Sequence, residues 1–296
     1  MVHGPSPFKP GAEGGMTGTV AIITPAFRAE EWIAACVTSV RSQTYPDWQH
    51  WIVSDDGVDY ERLLANAGLL DPRQRFRSTG LTGSGASRTR NIGLNQLDTP
   101  YAATLDADDR FKPHKLVRAV AALDSSAIVS MAIDESTPNG KRLRLVGDGA
   151  DQMLAAGRYK WVNLSMDSMI VWDRRKTDAR FDPDLPNMND LDFLLRLFER
   201  AEGTWHIGEP LHDYLKLPAS LSNGAGVTER MIAAKREMLR RLEAGEYPMK
   251  DPRGAEGMAQ FLRISLRAEE TYPAALAERP GLLFEDHIEP MLRADA

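Results

Sequence analysis

The chain has 296 residues, 43% of them hydrophobic and 26% charged, an ordinary composition for a globular enzyme with enough residues for one large core or two small ones. A formal net charge of −6 argues against a nucleic-acid or anionic-membrane partner, since either calls for a concentrated basic face. The single cysteine, Cys36, excludes an intramolecular disulfide and a thiolate metal cluster, and no apolar run approaches the ~20 residues of a membrane span.

Met1 to Gly18 carries several Gly and Pro and no apolar core, so it is expected to be a disordered tail, neither signal peptide nor strand; a cytoplasmic protein is the simplest expectation. Val20-Ala21-Ile22-Ile23 predicts a buried strand closed by Pro25. Glu30 to Gln43 places Trp32, Ile33, Cys36, Val37 and Val40 at the three-and-four spacing of a helix packed on a sheet, with Cys36 as a small buried filler. Trp48 to Ser54 is the next strand, Tyr60 to Ala67 a helix, and Gln74 to Ser78 a short strand. A glycine-rich loop, Gly80 to Gly85, leads to a helix over Ala86 to Gln96, a strand over Tyr101 to Leu105 and a helix over Lys115 to Leu123. This alternation predicts an α/β fold with a mostly parallel sheet and helices on its faces.

After Ser125 the rhythm changes. Ala127 to Met131 and Arg142 to Val146 predict strands around a Pro138-Asn139-Gly140 turn. Ser168 to Trp172 is another strand and Asp190 to Glu202 an amphipathic helix. Thr204 to Ile207 and Leu211 to Leu217 are expected to close the sheet, and the chain from Val227 is largely helical. The expected division is a tail (Met1 to Gly18), a first half (Thr19 to Ser125), a second half of the same domain (Ser126 to Gly226) and a helical extension (Val227 to Ala296).

Three of the predicted strands run into polar ends: Thr24-Pro25-Ala26-Phe27, Ser54-Asp55-Asp56-Gly57 and Asp106-Ala107-Asp108-Asp109. Ligands of open α/β sheets bind beyond the carboxyl ends of the strands, so these ends can share one pocket. A carboxylate cluster there suits a divalent cation carrying a phosphorylated ligand. Each has a plainer alternative: an acid capping the Lys112-Pro113-His114-Lys115 helix start, which accounts for one of the three acids, and a simple Asp-Gly turn at Asp56. Gly80-Leu81-Thr82-Gly83-Ser84-Gly85 lacks both the P-loop ending and the dinucleotide fingerprint, and is expected to be a flexible loop over the pocket.

Taken in order, Ile23-Thr24-Pro25-Ala26-Phe27, Glu30-Glu31, Ser39-Val40-Arg41-Ser42-Gln43-Thr44-Tyr45-Pro46, Val53-Ser54-Asp55-Asp56-Gly57, Thr89-Arg90-Asn91-Ile92-Gly93-Leu94 and Asp106-Ala107-Asp108 resemble the motifs of the family 2 glycosyltransferases of GT-A fold. The resemblance covers Thr19 to Ser222. It implies a metal-dependent, inverting transfer of one sugar from a nucleotide-diphosphate sugar to a hydroxyl of a glycan or small-molecule acceptor, with Mn2+ or Mg2+ as the metal. UDP-sugar is the default on family frequency, with GDP- and dTDP-sugars as alternatives. The membrane helices and Gln-x-x-Arg-Trp motif of the processive members are not in the sequence.

The same resemblance implies that Pro25, Ala26, Phe27, Asp56, Arg90, Asp106 and Ala107 line the nucleotide site. Asp56 would accept from the base, with Phe27 beside it in place of a frequent Tyr, while Asp55 shapes the turn. Asp106 is directed at the ribose. Arg90 either balances phosphate charge or is a solvated helix residue. Asp108 is the main expected metal ligand, assisted by Asp109. His212 is a third ligand or phosphate contact, since neutral imidazole accepts a metal, or simply structural; Lys216 is the other diphosphate contact. The segment from His212 to Ser222 resembles the family's Tyr-Arg-x-His-x-x-Ser-x-Ser, with Leu215 and Leu217 in place of the Arg and His.

The expected base is Asp190, which follows Arg180-Phe181-Asp182-Pro183-Asp184-Leu185 and aligns with the Asp of a Glu-Asp pair whose Glu is here Asn189. A helix N-terminal acid favoured by the dipole is the alternative for Asp190 and Asp192. Trp161, Met166 and Trp172 are sugar platforms or core residues. The C-terminal helices pack on the catalytic domain, form a homodimer contact or grip the acceptor. Two rival readings stand beside this one. A catalytically silent nucleotide-sugar-binding or scaffold protein is favoured by Asn189 and Leu217. A nucleotidyltransferase would prefer a glycine-rich, basic phosphate loop where Pro25-Ala26-Phe27-Arg28 stands.

Overall fold

The computed structural model describes residues 18–164, 167–217 and 227–295; the expectations for the N-terminal tail, for Met166 and for Ser220 and Ser222 lie outside them. β1 (Val20–Ala26) is buried except at Pro25 and leads to α1 (Ile33–Arg41), which buries Ile33, Cys36, Val37 and Val40. β2 (Trp48–Ser54), α2 (Tyr60–Asn66), β3 (Gln74–Ser78), α3 (Ala86–Leu94) and β4 (Tyr101–Thr104) continue the alternation. These four strands pair in parallel in the order β3-β2-β1-β4. The near-continuous apolar runs of β1 and β4 are what central parallel strands covered on both faces require. The register sets Ala26 beside Ser54 and Ile23 beside Thr104, so the polar segments after β1, β2 and β4 leave from one edge. Gly93 lets α3 settle onto β1: a Cβ there would stand 2.7 Å from Ile23 Cγ2.

The second half adds β5 (Arg110–Phe111), α4 (Lys115–Ala122), β6 (Ile128–Ser136), β7 (Arg142–Val146), β8 (Gln152–Ala155), a 3-10 turn at Ala156–Trp161, β9 (Val171–Asp173), α5 (Asn189–Leu197) and β10 (Gly203–Leu215). The sheet runs on from β4 as β9-β6-β10-β5, with β7 on β6 and β8 on β10. Both halves therefore share one mixed sheet. Its first four strands are parallel, as the βαβ crossovers demand, while the remaining pairs are antiparallel apart from β6–β10; of these only β6–β7 is a hairpin. The two strands expected between Thr204 and Leu217 are one strand, β10, with register slips on either side of Pro210. A proline lacks the N–H that a regular ladder needs, so the strand bulges there and does not end.

The chain closes with α6 (Val227–Glu243), α7 (Pro252–Glu278) and α8 (Phe284–Ala294). Ala234, Met238, Met258, Phe261, Leu262 and Ile264 join the same core as Tyr159, Trp172 and the apolar face of α5. Of the uses open to these helices, packing on the catalytic domain is the one observed. Lys235 of α6 pairs with Glu269 of α7 in the interior. α7 meets the 3-10 turn backbone to backbone: a Cβ on Gly257 would lie 2.3 Å from the Gly157 carbonyl oxygen. Gly257→Ala is therefore expected to destabilise the protein by about 1–3 kcal/mol, read as a lower melting temperature; an unchanged value would contradict this contact. Among the described residues no helix is long and apolar enough to cross a membrane.

Candidate active site

At the end of β2 the two acids do different work. Asp55 is buried and accepts from the Thr79 and Ser84 hydroxyls (2.9 and 2.6 Å) and from Gly85 N (2.9 Å). Burial alone would raise its pKa, but these donors outweigh it and hold the carboxyl below its usual range. Asp55 thus pins the glycine-rich loop to the end of β2. Asp56 accepts from Arg28 N (2.6 Å), the Tyr60 hydroxyl (2.8 Å), the Ser54 hydroxyl (3.0 Å) and Val58 N (3.0 Å). Its carboxylate ties the end of β1 to the end of β2.

The turn after β1 is unusual in its backbone. Arg28 has φ +52°, and its guanidinium lies 5.1 Å from the Phe27 ring. Phe27 is 43% exposed, an apolar ring facing outward beside the glycine loop, where a Cβ on Gly83 would be 3.8 Å from it. Ala26 is buried, and its carbonyl accepts from Asp55 N at 2.8 Å. A planar base could lie on the exposed face of Phe27.

Arg90 joins the two halves of the site. It sits on α3 with only 5% of its surface exposed, so it is not a solvated helix residue. Its Nη2 donates to Asp106 after β4 at 2.6 Å, and its Nη1 donates to Asp190 in the first turn of α5 at 3.1 Å. The ring of Phe181 lies 5.1 Å from the guanidinium carbon. Both of these partners are carboxylates of the protein, while the buried Nε has no hydrogen-bond partner among the described residues. Burial opposes its charge, but Asp106 and Asp190 outweigh burial and push its pKa up. Asp190 in turn is pushed up by burial; Arg90 pulls the other way, Asp106 adds to the rise, and a hydrogen bond from Ser168 offsets part of it. Asn189 donates to the carbonyls of Asp182 (2.7 Å) and Leu185 (3.0 Å), so it fastens the preceding turn and adds no charge beside Asp190. Met188, at the N-cap of α5, has φ +55°.

The acids after β4 separate by environment. Asp108 is partly exposed, and among the described residues its carboxylate has no side-chain partner. Burial and then the charge of Asp106 push its pKa up to about 6. Asp109 is 1% exposed; it accepts from Leu215 N at 2.9 Å and faces His212 Nε2 at 3.3 Å. Burial, then Asp108 and Asp106, raise its pKa well above the carboxylate range. The other ring nitrogen of His212 faces the buried Lys115 Nζ at 2.7 Å. Burial, with Lys115 beside it, keeps this imidazole neutral. Both ring nitrogens of the buried His212 are turned to protein groups, and Asp109 fastens β10 to the turn. Lys216 likewise pairs with Glu285 of α8 at 3.0 Å and is not held free for a diphosphate.

The residues fit a divalent cation in a particular way. No trio of His, Cys, Asp or Glu converges as a ready cage among the described residues. A hard cation can nevertheless be held by one or two carboxylates, with the rest of its shell taken from phosphate oxygens and water. Asp108, partly exposed and without a side-chain partner among the described residues, is the carboxylate that could hold such an ion. Of the expected sugar platforms, Trp172 is a core residue, edge-on to Phe193 at 5.2 Å. Trp161 is half-buried against Phe261 of α7. The partners of Asp192, described below, had no signal in the sequence beyond its place two residues after Asp190.

The sequence profile of Glycosyl transferase family 2 matches residues 21–184, more than half of the chain. A teichoic acid poly(glycerol phosphate) polymerase of Staphylococcus epidermidis is 33% identical over 98 residues, which is 33% of this chain but only 14% of that protein. The putative teichuronic acid biosynthesis glycosyltransferase TuaG of Bacillus subtilis is 26% identical over 216 residues, 69% of this chain and 81% of that one. Among solved structures, the S. aureus TarS fragment in complex with UDP-GlcNAc superposes with a TM-score of 0.66 at 14% identity, covering 94% of this chain and 80% of that one. That likeness gives the fold, a GT-A type α/β sheet with flanking helices and a helical C-terminal region. On the profile match over more than half of its length, the chain belongs to the family 2 glycosyltransferases.

Proposed function

We propose that the protein transfers a single sugar, with inversion, from a nucleotide-diphosphate sugar to a hydroxyl acceptor. A UDP-sugar is the first candidate donor, and a precursor of a cell-surface glycan is the acceptor class that the relatives' names suggest. The observation that carries this reading is the span of one guanidinium. Arg90 reaches Asp106 at a strand end and Asp190 at a helix start, the latter 100 residues further along the sequence, which supports reading the strand-end carboxylate and the candidate base as parts of one site. In this reading the nucleotide base packs on Phe27, Asp106 faces the ribose, and Asp190 takes the proton of the acceptor hydroxyl. The acceptor oxygen forms its bond to the anomeric carbon as the bond to the diphosphate oxygen breaks on the opposite face. A divalent cation held by Asp108 would supply Lewis-acid neutralisation of the charge on that leaving diphosphate.

The test is thermal stability with UDP, GDP, dTDP and NAD, each with and without Mn2+. A ligand bound only by the folded state stabilises it, by about 2.7 kcal/mol at a hundredfold excess over Kd. One nucleoside diphosphate should stabilise the protein more strongly with Mn2+, and Asp108→Ala should remove the metal-dependent part. Indifference to every diphosphate, in a folded sample, would overturn the donor site.

A further inference from the structure

We propose that Arg241 and Tyr247, in the C-terminal helical region, are positioning residues for catalysis: by gripping Asp192 they fix the rotation of α5 and so the aim of Asp190. The proposal rests on Asp190 being the base. Asp190 and Asp192 are both in the first turn of α5, and two residues of an α-helix are about 200° apart around its axis. The two carboxylates therefore point to opposite sides. Asp190 meets Arg90, whereas Asp192 is fully buried and accepts from the Tyr247 hydroxyl at 2.5 Å, Arg196 Nε at 2.8 Å and Arg241 Nη1 at 3.2 Å.

Arg241 does more than neutralise one acid. Its Nη1 also donates to Asp182 at 2.7 Å, and its Nε to Glu237 of α6 at 2.7 Å. Asp182 follows Phe181, whose ring stacks on Phe193 of α5 at 4.1 Å and lies under the Arg90 guanidinium. One arginine of α6 thus holds the base helix and the turn that leads to it. A turn of α5 about its axis would break either the Arg90 contact or the Asp192 contact. Packing alone does not call for a buried carboxylate, since apolar residues of similar volume often serve a core equally well. The network instead supplies direction, which a base needs because a misplacement of about 1 Å can cost about a hundredfold in rate.

The experiment uses the full chain and slow hydrolysis of UDP-glucose, UDP-GlcNAc or GDP-mannose, whichever the wild type turns over fastest with Mn2+. Asp190→Asn is run in parallel. Arg241→Met is expected to lower kcat by about 10- to 100-fold, with KM and the Mn2+–nucleotide thermal stabilisation within about twofold of wild type, and Arg241→Lys to recover most of the loss. In the Asp190→Asn background the same substitution should cost nothing more, since a residue acting through the base has no effect once the base is gone. If Arg241→Met does not fold, Tyr247→Phe decides by the same split in kcat against KM. Wild-type kcat in the Arg241 and Tyr247 variants, beside a crippled Asp190→Asn, would overturn the positioning role and leave the base intact. Full turnover in Asp190→Asn would overturn the base itself.

Discussion

Asp190→Asn is expected to lower turnover by about 10²- to 10⁴-fold, the usual contribution of a positioned general base, while binding of the nucleotide persists. Asparagine keeps the shape and still offers an acceptor to Arg90, so the fold should survive. The pH profile carries a sharper signature. A general base works as the anion, so its activity is present above its pKa and is lost as pH falls through it. Burial raises the Asp190 pKa, against the pull of Arg90. The acid limb of kcat should therefore lie above the ~3.9 of an ordinary aspartate. That limb should vanish in the asparagine variant. Retained turnover with an unchanged acid limb would remove Asp190 from the chemistry.

Arg90→Met should have the largest effect on stability of any single change in the site. It leaves two carboxylates that shared one buried cation, and stranding charge in this way costs about 3 kcal/mol, a fall of roughly 6–12 °C in melting temperature. The sign with pH follows from the same electrostatics. Losing the cation raises the proton affinity of Asp190, so the deficit is full where that carboxylate is ionised and shrinks as pH falls and it takes up a proton. The acid limb of kcat should move up at the same time. Combining Arg90→Met with Asp190→Asn should restore part of the lost melting temperature, because only one carboxylate is then stranded. A melting temperature equal to wild type in Arg90→Met, or no recovery in the pair, would contradict the bridge.

The parts of this molecule that the sequence made legible are those set by local pattern. Val20–Ala26, Trp48–Ser54 and Tyr101–Thr104 read as short buried strands, and the polar segments after the second and third put Asp56, Asp106 and Asp108 at one edge of the sheet. Pairing between charged side chains was not legible. Arg90 could be read as a phosphate contact or a solvated residue until α3 brought it within reach of Asp190. His212 looked available to a metal because nothing nearby in the chain reveals that Lys115, 97 residues away, fills its other face. Lys216 is claimed by Glu285 from α8, and Asp192 by Arg241 and Tyr247 from 49 and 55 residues further on. Periodicity reports which face of an element is buried; it does not report which element will lie against that face.

The path of the sheet also orders the protein's own synthesis. The strands β3, β2, β1 and β4 are neighbours both in space and in the first 104 residues, so the first half can pair its strands as soon as it leaves the ribosome, domains and their parts forming from the N-terminus onward. Asp190 appears much later, and the groups that clamp its helix, Arg241 and Tyr247, later still. A nascent chain can thus display its strand-end acids while the helix bearing Asp190 is still unclamped. The last quarter of the polypeptide then brings that helix to rest.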